Sequence, residues 1–481
     1  MKSKVAFLLI LLFAFTVGVL CFCAFLKYPG QGYAYILFSV LLNLLLFLGF
    51  SPGRIFFDTF IGLFFWLGFW LKFTFRVVFM DGVFNEAVGN FVFNGPQCDL
   101  VLLVVSCGIS GLLLARFLRQ KYFFSYEKLP QNQTFEALFG LYKLHRKSIW
   151  LGFVVLILFV SITNIYFEIY QKGSIPRTIL PFGLGGVYTW LLLFGLTSFS
   201  AVILDFELRL KKHPYMVALI CLFESLFSNM SLLSRGMVIN ISSLFVGVLE
   251  QTKRRPQKVE FKFKLFFAVA FCALFLISVF AVNFIRSNRF TYLGSRAGGG
   301  SGYPASKAEL QTRIDITKSS TKEVFIDRFV GIEGAMAVST SPNLGWDLWK
   351  SAWEEKYLNY GTSFYDNNLI TSPYINTDFT KHHFISLPGI LAFFFYPGSY
   401  VFLFVSLAVL GGLASFVEFS IFKLGGANFI LCSLMGQVVA YRFAHFGYVP
   451  RQTYLLFGTI YLNVLILYGL NKVLTLRRRI R

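Results

Sequence analysis

The chain has 481 residues, 56% of them hydrophobic and only 14% charged, with a formal net charge of +21. That balance excludes an ordinary soluble domain and points to a chain whose main solvent is lipid. Its Lys and Arg residues are scattered over several short segments rather than gathered into one stripe, which argues against a nucleic-acid partner.

Apolar runs of about 20 residues are long enough to cross a bilayer core as helices. About twelve follow one another. The start, Met1-Lys2-Ser3-Lys4, leads into an apolar run too long for a signal-peptide core and followed by no small-x-small cleavage site, so 5–26 reads as the first span. Further runs lie at 34–50, 55–80, 99–118, 149–170, 187–205, 215–232, a short one at 236–250, and 265–286. A polar segment, 287–385, then interrupts the pattern before runs at 398–419, 427–445 and 453–471. Leu387-Pro388-Gly389 and Tyr396-Pro397-Gly398 break the chain just ahead of the tenth run and predict an interfacial or re-entrant piece. The expected organisation is therefore 1–286 with nine spans, 287–385 as one large loop, and 386–481 with the re-entrant piece and three spans.

Twelve crossings put both ends on one side. That side collects Lys2 and Lys4, the 116–147 loop, Arg209 to Lys212, the run Lys253-Arg254-Arg255 to Lys264, and the tail Arg477 to Arg481. Basic residues in short loops stay cytoplasmic, so both termini are expected inside and 287–385 outside. The same charges attract anionic lipid. The seven cysteines lie in or at the ends of spans and none lies in the loop, so no disulfide framework or cysteine metal site is available there. The Arg296–Ser301 run (RAGGGS) reads as a flexible link and lacks the Gly-Lys-Ser/Thr ending of a phosphate-binding loop.

Cations on the disfavoured side carry more information. Ten lie in the loop, matched there by ten Asp and Glu; Lys27, Lys72, Arg76, Lys172, Arg177, Arg235, Arg286, Arg442 and Arg451 lie at or near the outer membrane edge. A charge within a span is costly and by default faces a cavity or a partner. Lys72 and Arg76 are four apart and share a helix face near the outer end of the third span. Arg235 occupies the short turn Leu233-Ser234-Arg235-Gly236, and Arg442 sits near the outer end of the eleventh span. Together they predict a cationic cluster opening outward, suited to a pyrophosphate because guanidinium forks match phosphate oxygens. Snorkelling to headgroups is the simpler reading of Lys27, Lys172 and Arg177. Glu224, midway along the seventh span, is either a proton or substrate site or a structural partner of a cation such as Arg235; Glu168, near the outer end of the fifth, poses the same question.

Within the loop, 303–340 reads as an amphipathic helix followed by a turn built on Asp327-Arg328-Phe329-Val330-Gly331-Ile332-Glu333-Gly334. Trp346, Trp349 and Trp353 fall on one helical face, which docks on the membrane surface or offers a sugar-stacking platform. A polar Tyr/Asn-rich stretch, 357–378, ends in Lys381-His382-His383. Adjacent histidines with no third ligand at a suitable spacing make a poor metal site. An imidazole that titrates near neutrality makes His382 or His383 a candidate general base, with Glu333 as the rival.

The aromatic third span Phe64-Phe65-Trp66-Leu67-Gly68-Phe69-Trp70-Leu71-Lys72, the Ser234-Arg235-Gly236 turn, the Arg328-Phe329-x-Gly-x-Glu333-Gly334 loop and the layout as a whole resemble the bacterial Wzy-type O-antigen polymerases. The resemblance implies an all-α, GT-C-like polytopic protein of the bacterial inner membrane. It implies metal-independent glycosyl transfer between undecaprenyl-pyrophosphate-linked oligosaccharides at the periplasmic face, without a cofactor. A chain-length regulator is the protein partner that fits. Lys72, Arg76, Arg235 and Arg442, with Arg289 and Arg328 as secondary candidates, would then bind pyrophosphate, and Glu333, His382 or His383 would act as base. An O-antigen ligase shares the layout and chemistry. A repeat-unit flippase has less need of so long an outer loop and would favour a two-half symmetry not evident here. A metal-dependent dolichol-phosphate-type enzyme would want acidic residues in a substantial first outer loop, whereas Tyr28–Tyr33 carries none.

Overall fold

A computed structural model describes residues 2–126, 135–210, 214–234, 237–254, 261–296, 330–357, 361–370, 372, 383 and 385–480. Among these residues the chain is helical, with no strand. In order, the helices are α1 (Lys2–Lys27), α2 (Gly32–Phe50), α3 (Phe56–Phe65), α4 (Lys72–Phe79), α5 (Gly95–Leu118), α6 (Glu136–Phe167), α7 (Leu184–Trp190), α8 (Leu196–Leu210), α9 (Pro214–Ser231), α10 (Met237–Arg254) and α11 (Phe261–Arg296). After the long connection come α12 (Ile332–Ser339), α13 (Trp346–Trp353), α14 (Ile390–Phe393), α15 (Tyr400–Leu424), α16 (Phe429–Ala444) and α17 (Thr453–Ile480).

Every predicted apolar run coincides with a helix. Among the described residues, nine helical stretches are long and apolar enough to cross a membrane, and two shorter apolar helices, Tyr215–Ser231 and Phe429–Ala444, accompany them. The protein is therefore built as a membrane-embedded, all-helical chain. The short predicted run at 236–250 becomes α10, whose last turns carry Glu250, Lys253 and Arg254 and so fall outside the apolar set. Helix α11 continues to Arg296, past the predicted loop boundary at 286.

Helix α16 has 16 residues, or about 24 Å at 1.5 Å per residue, less than a full bilayer core. It tolerates this because it is not a lipid-facing strut. Its residues are almost all buried, packed by α3, α8, α10 and α15. Around it the third crossing is similarly enclosed, an apolar helix with no single wet face. Buried indole N–H groups usually find a hydrogen-bond partner, and the two here do. Trp66 Nε1 donates to Asn43 Oδ1 at 3.0 Å and Trp70 Nε1 to Ser39 Oγ at 3.1 Å, both on α2. The start of α3 is buried too, and its orphan N–H groups are met by carboxylates: Asp58 accepts from Ile55 N, and Glu418 accepts from Phe56 N at 2.7 Å and Phe57 N at 2.8 Å. Arg119 and Arg116 neutralise Asp58 at 2.6 and 3.3 Å.

The described part of the segment that follows α11 does not stand apart from the bundle. Helix α12 is buried along its whole length against α5 and α14. Its entry needs glycine: a Cβ on Gly331 would lie 1.9 Å from Gly68 O, and one on Gly334 would lie 2.0 Å from Pro388 O. Both clashes are with backbone, so a neighbouring side chain cannot relieve them by swinging away. Gly331→Ala and Gly334→Ala are each expected to cost at least about 1–3 kcal/mol through overpacking. Thermal unfolding of detergent-solubilised protein measures this, with Gly345→Ala as control, since a Cβ there meets nothing within 4 Å. Control-like behaviour of both variants would mean that α12 is not wedged as described.

The tryptophan helix corrects one expectation. Trp349 and Trp353 stack at 5.4 Å and pack on protein aromatics, Phe402 at 5.4 Å from Trp349 and Phe393 at 6.0 Å from Trp353. Only Trp346 stays largely exposed, its ring edge-on to Phe402 at 4.9 Å. The face that the sequence offers to membrane or sugar is thus mainly glue between α13 and the α14–α15 corner, because helix ends rich in Phe lie within reach.

Candidate functional site

The third crossing is not one continuous α-helix. Trp66–Leu71 forms a π-helical turn between α3 and α4. Such a turn inserts a residue into the α-helical register and rotates everything beyond it, and it recurs at functional sites. Lys72 is the first residue after it. Its Nζ lies 2.8 Å from Glu333 Oε1, and both side chains are buried, at 1% and 7% exposure. Two residues expected in separate roles, phosphate-binding cation and general base, thus neutralise each other and fasten α12 to the third crossing. One turn on, buried Arg76 donates from Nη1 to Val83 O at 3.2 Å and Asn85 Oδ1 at 3.3 Å, bracing the segment that follows α4. Tyr365 packs close by. Burial first, then the charges of Glu333, Asp366 and Glu86, push its phenol well above the ordinary range.

A second cluster gathers where α16 ends. Tyr441 stacks on His445 at 4.0 Å, and Lys172 Nζ lies 6.0 Å over the Tyr441 ring. Arg442 Nη2 donates to Tyr448 O at 3.3 Å and Thr453 Oγ1 at 3.2 Å. Tyr448 Oη is 3.2 Å from His383 Nε2, and the Tyr357 ring flanks both. Tyr170 completes the group. Its phenol is pushed up to about 12, chiefly by burial, then by Tyr357 and Tyr441, with Arg442 opposing. The His383 imidazole shifts the other way. Burial lowers its pKa, only partly offset by a hydrogen bond with the Gly361 backbone, so the neutral ring is favoured at neutral pH.

Backbone contacts join the two clusters. Gly389 N donates to Phe446 O at 3.0 Å, and the same glycine lies against Ala444 O and Val330. Val330–Glu333, Pro388–Gly389 and Ala444–Tyr448 therefore form one seam, with Lys72–Glu333 at one flank and the Arg442–His383 group at the other.

Of the sequence candidates, Lys72, Arg76, Glu333, Arg442 and His383 are placed by this geometry. Arg235, Arg328 and His382 lie outside the described residues, and so does the side chain of Arg289. The residues just before Arg235 do reach the second cluster: Lys172 N donates to Leu232 O at 3.0 Å, and Asn164 Nδ2 binds Ser231 O at 2.9 Å. Tyr170, Tyr357, Tyr441, His445 and Tyr448 were missed as site residues. The crowded Tyr441-Arg442-x-x-His445-x-x-Tyr448 run at a span end was the signal available.

Several edge cations have protein partners: Lys27 with Asp81 at 3.5 Å, Arg177 with Glu168 at 2.8 Å, and Arg451 with Glu354 at 3.0 Å. Headgroup snorkelling is therefore not their whole role. Glu224, wholly buried, accepts from the hydroxyls of Thr197, Ser225 and Ser228. Among the described residues no group of three His, Cys, Asp or Glu converges as a metal site would require. No family model, curated protein or solved structure matches the chain.

Proposed function

We propose that the chain is a metal-independent glycosyltransferase of GT-C-like architecture that polymerises undecaprenyl-pyrophosphate-linked oligosaccharide repeat units at the periplasmic face of a bacterial inner membrane, with both termini cytoplasmic. The observation that carries this reading is the Arg442–His383 cluster. Among the described residues both protein hydrogen bonds of Arg442 use Nη2, which leaves the rest of the fork to a ligand. An imidazole biased to neutrality and a ring of tyrosines lie on the same seam.

In this reading a hydroxyl of the acceptor sugar attacks the anomeric carbon of the donor. The new C–O bond forms as the bond to the pyrophosphate oxygen breaks, and undecaprenyl pyrophosphate departs with the electron pair. Arg442 stabilises that developing charge, the kind of contribution that dominates many enzyme accelerations. The hydroxyl proton passes to Tyr448 Oη as Tyr448 gives its own to His383 Nε2, the ring nitrogen it faces at 3.2 Å. Tyrosine faces and hydroxyls suit sugar rings and their polar rims. Glu333, engaged by Lys72, serves as a positioning residue rather than as the base.

The defining experiment is surface glycan from a deletion strain, resolved by gel. Collapse of the ladder to core plus one repeat unit is expected. Loss of every repeat unit with polymer accumulating on the carrier lipid would replace this reading by a ligase, and loss without accumulation by a flippase. An unchanged ladder would remove the protein from synthesis of that glycan.

A pH profile tests the base. The neutral imidazole is the active form, so activity should rise with pH through a limb lying below the ordinary histidine range and be lost as pH falls through it. His383→Gln should remove that limb and lower the rate by about 10²–10⁴-fold. A profile unchanged in His383→Gln would reassign the base.

A further inference from the structure

At the opposite end of the bundle, to which α2 and α10 descend, a cavity of about 230 Å³ opens between the α2–α3 turn, Ser125–Tyr126 and the last turn of α10. A bound water requires only about 10–15 Å³ of such space, so this void accepts a group of several heavy atoms. Among the described residues its wall carries Arg54, Lys253 and Arg254 against a single carboxylate, Glu250. Glu250 gathers all three, with Arg254 Nε at 2.8 Å, Arg54 Nη2 at 3.2 Å and Lys253 Nζ at 4.0 Å. One negative charge cannot balance three positive ones, so the described residues of the wall keep an excess of two. The Arg254 guanidinium is further fixed between the Phe429 ring at 4.9 Å and the Tyr126 ring at 5.8 Å. Ser51 and Ser125 add hydroxyls to the lining.

The mouth is amphipathic. Phe50, 55% exposed, stands on one side, and Lys253, with 71% of its side chain exposed, stands on the other. An exposed aromatic beside an exposed ammonium marks the level where acyl chains give way to headgroups. We infer that this cavity binds the phosphodiester headgroup of an anionic phospholipid in the leaflet that meets the chain's basic loops. Preassembled guanidinium forks suit phosphate oxygens, and basic pockets between spans on the cytoplasmic side are a known physical solution for anionic headgroups. Glu250 acts as the organiser that holds the cations in place before the lipid arrives. The inference is independent of the glycosyl-transfer reading, since neither its residues nor its test involves the outer seam.

Titration of the delipidated full-length protein in detergent with dioctanoyl phosphatidylglycerol, followed by native mass spectrometry, tests it. Dioctanoyl phosphatidylcholine and inorganic phosphate are the comparison ligands. Phosphatidylglycerol should bind about tenfold more tightly than phosphatidylcholine, and more weakly as salt rises. Lys253→Gln, at an exposed position that leaves the fold intact, should weaken phosphatidylglycerol about tenfold, and Arg54→Gln by at least as much. Equal binding of the two lipids, or unchanged affinity in Lys253→Gln, would overturn the assignment. Inorganic phosphate binding as tightly as phosphatidylglycerol would overturn the lipid source and leave a free-phosphate site.

Discussion

Lys72→Ala is expected to lower stability by about 3–5 kcal/mol, because it leaves a buried carboxylate without its counter-charge. Glu333→Ala should cost a similar amount by stranding the ammonium. The pair, at 2.8 Å and almost wholly enclosed, ties α12 to the third crossing. Replacing both partners by apolar residues of similar volume, Lys72→Met with Glu333→Leu, removes the need for compensation and should restore most of the loss. The measurement is thermal unfolding of the purified protein alongside glycan chain length in cells. Three outcomes separate the roles. A stable double variant that still polymerises makes the pair a positioning device. A stable double variant that makes only single repeat units makes it chemical. Unchanged stability in both single variants would show that the contact does not fasten α12 at all.

Arg442→Ala should abolish long-chain glycan, with a loss of about 10²–10³ in rate if the guanidinium stabilises the leaving pyrophosphate. A structural role must be separated from a chemical one, because Arg442 also bonds Tyr448 O and Thr453 Oγ1. Thr453→Val removes one of those bonds and keeps the charge, so it should leave the ladder nearly intact. Arg442→Lys keeps the charge but loses the fork, and should give short chains rather than none. The protein must still accumulate in the membrane in each case. Wild-type chain lengths in Arg442→Ala would take this residue out of the mechanism.

The two clusters differ in how far they could be read in advance. Arg442 stood out because a cation near a span end on the disfavoured side demands a reason, and its neighbours Tyr441, His445 and Tyr448 are close in sequence. The other half of that cluster comes from Tyr170 and Lys172 on one connection and Tyr357 and His383 on another, far apart in sequence, and no local pattern announces their convergence. The i,i+4 spacing of Lys72 and Arg76 correctly placed both near one end of a helix. It could not reveal that Lys72 faces a carboxylate more than 250 residues away, since the π-helical turn just before it resets the register.

What the sequence alone determined is the class and the approximate route of the chain: all helix, embedded in lipid, with a polar segment between the ninth and tenth apolar runs. The reason is the solvent. A bilayer leaves backbone groups no partner but their own helix, and it demands apolar runs of a set length, so both conditions are written residue by residue. Which charges meet was decided only by tertiary structure. Glycine-sized gaps at Gly68, Gly331 and Gly334 let α12 sink into the bundle, and that descent brings Glu333 to Lys72. Close packing of backbones from distant segments is a property of the assembled core, and no spacing along the chain encodes it.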